Sequence, residues 1–167
     1  GAIETAHRAR AAASLVFRYA IATGRATGNP AADLIGALIS TQTKHFASIT
    51  EPEDVAKLLN AIWGYQGSPV VLAALKLSAY LFVRPGELRH ARWADINLDK
   101  AEWRYVTSKT KTPHIVPLAS QSVEILRDVR PFARRSEYVF PGVRSLTKPI
   151  SENTINAALR YLGFDNS

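Results

Sequence analysis

A chain of 167 residues, 47% hydrophobic and 21% charged, has enough apolar content for a folded core, and having no cysteine it excludes disulfide frameworks, thiolate catalysis and cysteine zinc sites. No apolar run approaches the roughly 20 residues that span a bilayer, and nothing at the start has the pattern of a signal peptide. The formal net charge of +7 favours an acidic partner, nucleic acid before an anionic membrane surface, and it is uneven: residues 1–83 hold 7 Lys/Arg against 5 Asp/Glu, residues 84–167 hold 14 against 9.

From Ile3 to about Thr23 the chain is rich in alanine, with Ala9, Ala12, Val16, Tyr19 and Ala20 at helical spacing. Gly24 and Gly28 stop that helix, and Asn29–Pro30 predicts a second one to about Leu38, with a cap residue and a proline in the first turn. Two such helices bury little by themselves, so they are expected to complete a bundle of other helices. Residues 39–49 lack periodicity and caps and are expected to be a linker.

Thr50 and Glu53 form a capping-box pattern with Pro52 in the first turn, predicting a helix to about Trp63 that Gly64 and Gly67 end. Ser68–Pro69 is expected to cap the next helix, Val70 to Val83, apolar nearly all round and hence central to the core. Arg84-Pro85-Gly86-Glu87 turns the chain into a short helix reaching about Trp93. The period then changes to two. Ile96, Leu98, a turn at Asp99–Lys100, then Trp103 and Tyr105 predict a hairpin, and His114 to Leu118 a third strand beyond a polar tip at Ser108 to Pro113. Ser120 opens a helix carrying Val123, Leu126 and Val129, and Ser151 is expected to cap a last one with Ile155, Ala158, Leu159 and Leu162, ending at Gly163. The fold class is mainly α with one small antiparallel three-stranded sheet, an α+β arrangement.

Arg84 is the most informative position. Pro85–Gly86 fixes its backbone, and a planar guanidinium suits two oxygens of one phosphate, with Glu87 three residues on to hold it. The competing account is a cation set against the C-terminal dipole of the preceding helix. Lys109 stands at the tip of the second hairpin, followed by Lys111 and His114; a lysine there can serve as a groove-reaching charge, although taken alone an ordinary exposed turn is the commoner reason for one.

Taken in order, Arg-Pro-Gly-Glu-Leu from Arg84, Ser-Lys-Thr-Lys-Thr-Pro-His-Ile-Val-Pro-Leu from Ser108, Tyr-Val-Phe-Pro from Tyr138 and Ser-Glu-Asn-Thr-Ile-Asn from Ser151 resemble the prophage integrases of the tyrosine site-specific recombinase family. The resemblance reaches upstream through Ala6-His7-Arg8, Val16-Phe17-Arg18-Tyr19-Ala20 and Asn29-Pro30-Ala31-Ala32, so it covers nearly the whole chain. It implies that residues 1–38 end a core-binding domain, 39–49 link, and 50–167 begin a catalytic domain. Arg84 then matches the first catalytic arginine, which binds the scissile phosphate, with Glu87 supporting it. Lys109 matches the hairpin lysine that protonates the leaving 5′ oxygen, chosen over Lys111 by its eight-residue distance from Pro117. His114 matches a position that is often histidine, for phosphate contact or for strand packing.

Double-stranded DNA at attachment sites is the implied partner, with self-association as a tetramer on DNA, no metal, no cofactor and a bacterial cytoplasmic, nucleoid-associated location. Lys111, His114, Arg144, Lys148, Ser151, Asn153, Asn156 and Arg160 are the expected DNA contacts, with the start of the last helix balanced between that role and a plain capped, solvated face. Arg134–Arg135 reads as an exposed loop pair. The family's His-x-x-Arg and nucleophilic tyrosine should follow Arg84 and do not; His7-Arg8-Ala9-Arg10 precedes it, and Tyr161 reads as helix packing. With no methionine present, the chain is expected to be a piece of a longer protein that binds DNA without cutting it. The alternative is a non-catalytic DNA-binding module or a degraded prophage remnant.

Overall fold

The alanine-rich opening forms one long helix, α1, over Ala2–Ala22 in a computed structural model that describes residues 2–40, 48–133 and 135–164. Residues 41–47 of the expected linker, and Arg134 of the expected arginine pair, lie outside the described residues. The chain divides into two compact units, 1–46 and 47–167.

In the first unit α1 has no buried residue among those described, and Leu15, Val16 and Tyr19 are exposed. The expected second helix from Asn29 to Leu38 is not formed. That stretch is a run of turns closed by bonds from Ala32 N to Asn29 O (3.0 Å) and from Ile35 N to Ala32 O (3.0 Å). The cap signal itself is real, since the Asn29 Oδ1 accepts from Ala31 N at 3.1 Å. A cap does not offset the nucleation cost of so short a helix without a packed face, and Gly36 sits at φ 85, off the helical path. The Asn29 amide instead donates to Ser14 Oγ on α1 at 2.9 Å, and Ala31 is buried.

The second unit is built on α3 (Pro69–Tyr80), which packs against α2 (Pro52–Trp63), α4 (Pro85–Arg89), α5 (Ser120–Ala133) and α6 (Thr154–Tyr161). Its all-round apolar sequence resolves into two faces. Val70, Ala73, Ala74 and Leu77 enter the larger core with Trp103, Leu126, Val139 and Phe140, while Val71 and Leu75 meet Ile62 and Ala158 in a smaller one. The sheet is antiparallel in the order β1 (Ile96–Asn97), β2 (Glu102–Val106), β3 (Pro113–Pro117). Its register pairs Trp103 with Val116 and Tyr105 with His114, placing the buried pair under the core and the next pair at its edge.

The capping expectations need correction. The N-cap of α2 is Glu51, not Thr50, and neither it nor Ser68 before α3 makes a side-chain cap bond; a proline follows each as the first helical residue. α6 has Asn153 at its N-cap, so Ser151 lies two residues outside it; its hydroxyl accepts from Asn153 N at 3.4 Å and its carbonyl from Thr154 N at 3.0 Å. α3 ends at Tyr80, not Val83. Leu81 is already extended at φ −105, ψ 122, and Arg84, restricted by the following proline, is extended too at φ −66, ψ 142. α4 closes at Arg89, before a separate 3-10 turn at Trp93–Asp95.

Candidate nucleic-acid interface

Because α3 stops early, Arg84 is four residues beyond its end and serves instead as the N-cap residue of α4. A cation gains nothing from a helix N-terminus, so the C-terminal dipole account of Arg84 is removed. Its side chain is 57% exposed and borders a cleft of about 650 Å³ lined by Phe82, Val83, Arg84, Tyr105, Thr107, Thr110, Thr112, Pro113 and His114. Phe82, fully exposed, adds an apolar surface to the same cleft.

Behind Arg84 stands a buried carboxylate. The Glu87 side chain is 3% exposed, and its Oε1 lies 3.5 Å from Arg84 Nη1. The same oxygen accepts from Ser108 N at 3.2 Å and from Ser108 Oγ at 3.1 Å. A carboxylate removed from water needs partners of this kind to be stable there. Tyr105, half-buried on β2, completes the group. Its burial pushes the phenol above its usual range, the nearby Glu87 charge and hydrogen bond push the same way, and Arg84 pulls back. Like any phenol it is protonated at neutral pH and able to donate. Its ring tilts against Trp103 at 4.5 Å and meets His114 edge-on at 5.4 Å.

The loop between β2 and β3, residues 107–112, carries the two lysines. Thr107 N donates to Thr112 O at 2.9 Å, Lys111 N to Thr107 O at 3.0 Å, and the Thr107 and Thr110 hydroxyls pair at 2.6 Å. Lys111 takes a left-handed φ of 54 to close this turn. Lys109 and Lys111 are both exposed, on the loop whose threonines line the Arg84 cleft.

The structure therefore brings Arg84, Glu87, His114 and the lysine loop to one place. It does not bring the remaining expected contacts there. Arg144, Lys148 and Ser151 line a separate cleft of about 500 Å³ with Val70, Val71 and Phe132. Asn153, Asn156 and Arg160 are exposed at the start and along the length of α6. Tyr161 is 79% exposed, with Tyr65 edge-on at 6.4 Å, so it is less packed than expected. Sequence reasoning missed Ser108 and Tyr105 as parts of the Arg84 site. Their signals were present: Ser108 directly precedes Lys109, and the two-residue alternation sets Tyr105 opposite His114. Among the described residues, no three of His, Asp and Glu gather to hold a metal ion.

The sequence matches the phage integrase central domain over residues 1–37 and the phage integrase family over residues 49–165. The integrase of Enterobacteria phage P4 is 35% identical, covering 99% of this chain and 40% of its own length. Prophage integrase IntS of Escherichia coli (strain K12) is 36% identical, covering 99% of this chain and 43% of its own. The chain thus spans less than half the length of these curated relatives. Among solved structures, a lambda integrase dimer bound to a COC' core site superposes with a TM-score of 0.67 at 22% identity, covering 93% of this chain and 55% of that one. A lambda integrase tetramer bound to a Holliday junction gives 0.66 at 22% identity, covering 95% of this chain and 46% of that one. The fold is shared with these structures, and the sequence match along nearly all of the second unit, with the relatives' identity along the whole chain, makes this chain a member of the phage integrase family.

Proposed function

We propose that this chain grips duplex DNA within a tyrosine site-specific recombinase that integrates prophage DNA. The observation that carries the reading is the Arg84 guanidinium, more than half exposed over a cleft and backed by a buried carboxylate that also holds the lysine loop. A planar fork so placed binds two non-bridging oxygens of a phosphate and stabilises the charge that builds on them in the transition state. Lys109 delivers a proton to the 5′ oxygen as the P–O5′ bond breaks, while a tyrosine oxygen gives up its phenolic proton to a base or water and bonds to phosphorus on the other side, leaving a 3′-phosphotyrosyl link and a free 5′ hydroxyl. The Arg144–Lys148–Ser151 cleft and the exposed polar residues Asn153, Asn156 and Arg160 extend the contact along the backbone, with Lys111 and His114 beside Arg84.

Residues 1–38 are read as the end of a core-binding domain, 39–49 as a linker and 50–167 as the start of a catalytic domain. The unit boundary at residue 46 and the family matches ending at 37 and starting at 49 support this. In the longer relatives' setting, assembly as a tetramer on attachment sites in the bacterial cytoplasm follows the same reading. Within these 167 residues no His-x-x-Arg and tyrosine follow Arg84 in the required order, so the chain itself binds without cutting.

Titrating a labelled duplex with this chain at several salt concentrations tests both parts. Affinity should fall linearly in log–log form with salt, and no protein–DNA adduct should survive denaturation. Absence of binding at about 50 mM salt would overturn the DNA reading. A covalent adduct would overturn the statement that these residues do not cut.

A further inference from the structure

The lysine loop is tied to the arginine through a single atom. Among the described residues, the other hydrogen bonds of residues 107–112 close the loop on itself: Thr112 N to Thr107 Oγ1 at 3.1 Å, Thr112 Oγ1 to Thr110 O at 3.2 Å, and the Thr107 bonds already given. Ser108 reaches outward instead. Its amide and its hydroxyl both donate to Glu87 Oε1, at 3.2 and 3.1 Å, the oxygen that faces Arg84 Nη1. Lys109 is the next residue, its Cα one peptide or about 3.8 Å away.

We propose that Ser108 is a positioning residue, which through Glu87 Oε1 fixes where the Lys109 backbone stands relative to Arg84. The inference rests on the reading of the Arg84 cleft as a phosphate site. A lysine stem has four rotatable carbons and loses much rotamer freedom when its ammonium is held at one point, so the place where the stem starts decides how many conformers reach a phosphate on Arg84. Anchoring that start to the carboxylate behind Arg84 makes the two cations move as one. Glu87 is buried on α4, a rigid base, whereas the loop tip is exposed and held otherwise by its own bonds. The hydrogen bond from the residue 108 N–H survives Ser108→Ala, so the hydroxyl contributes the second, direction-fixing bond.

A double-mutant cycle on duplex affinity reads this coupling. Lys109→Ala is compared in the unchanged chain and in Ser108→Ala and Ser108→Thr backgrounds at one salt concentration. The loss caused by Lys109→Ala should shrink by at least about twofold in Ser108→Ala and be restored in Ser108→Thr, which keeps the hydroxyl. A general loosening of the fold would weaken every variant and leave the Lys109 effect unchanged. An equal Lys109→Ala loss in all three backgrounds, zero included, overturns the proposal while the DNA reading stands. If the unchanged chain binds no duplex, the DNA reading is what fails, and amide exchange in the free chain then decides the tether. Glu87→Ala, which removes the acceptor, should speed exchange of the Ser108 amide more than exchange of the core amides, and unaltered exchange overturns it.

Discussion

At Arg84 the chain enters α4 through a proline and places a guanidinium over a carboxylate that is almost wholly removed from water. This part was legible because it is local: Arg84 and Glu87 stand three apart around a fixed Pro85–Gly86 turn. The contributions of Ser108 and Tyr105 were not, because they join Glu87 across 21 and 18 residues of chain and depend on how the sheet docks beside α4. Tyr105 gives a residue-scale prediction. With its phenol raised above the ordinary value of 10.0, first by burial and then by Glu87, the folded chain keeps that proton longer than the unfolded one. Its stabilising effect is complete below pH 10 and is lost as pH rises past the raised value. Urea unfolding between pH 9 and pH 12 should show stability falling with pH at the alkaline end, and Tyr105→Phe should flatten that fall. An equally steep fall in Tyr105→Phe would assign it to another group.

Among the elements, α3 shows what periodicity can and cannot convey. Its apolar run predicted a central helix, which it is, but the run continued through Leu81 and Val83 while the helix did not. Beyond the helix the apolar run divides: Leu81 is still buried, whereas Phe82 is fully exposed, so hydrophobicity alone marks neither the boundary nor the burial there. The failed helix from Asn29 to Leu38 is the converse, with end signals present and no face to pack. Leu75, fully buried where α3 meets α2 and α6, tests the two-faced core. Leu75→Ala should lower the unfolding free energy of the second unit by about 2–5 kcal/mol. A loss below about 1 kcal/mol in denaturant titration would mean that the smaller core carries little of the stability.

For the molecule as a whole, charge, fold and family converge. The basic surplus concentrates in residues 84–167, which supply the charged lining of both clefts and both loop lysines. The sheet order, the helical surround and the place of Arg84 before it were readable from period changes and turn residues, whereas the separation of the Arg144–Lys148 cleft from the Arg84 cleft was not, since it arises from how the loop of residues 141–151 folds back on Gly142 and α3. The measurement that tests the central claim most directly is the salt dependence of duplex binding by Arg84→Ala beside the unchanged chain. If Arg84 neutralises one backbone phosphate, the log–log slope should shallow by about 0.9 and binding should persist in weakened form. An unchanged slope and affinity would mean that DNA does not reach the Arg84 cleft.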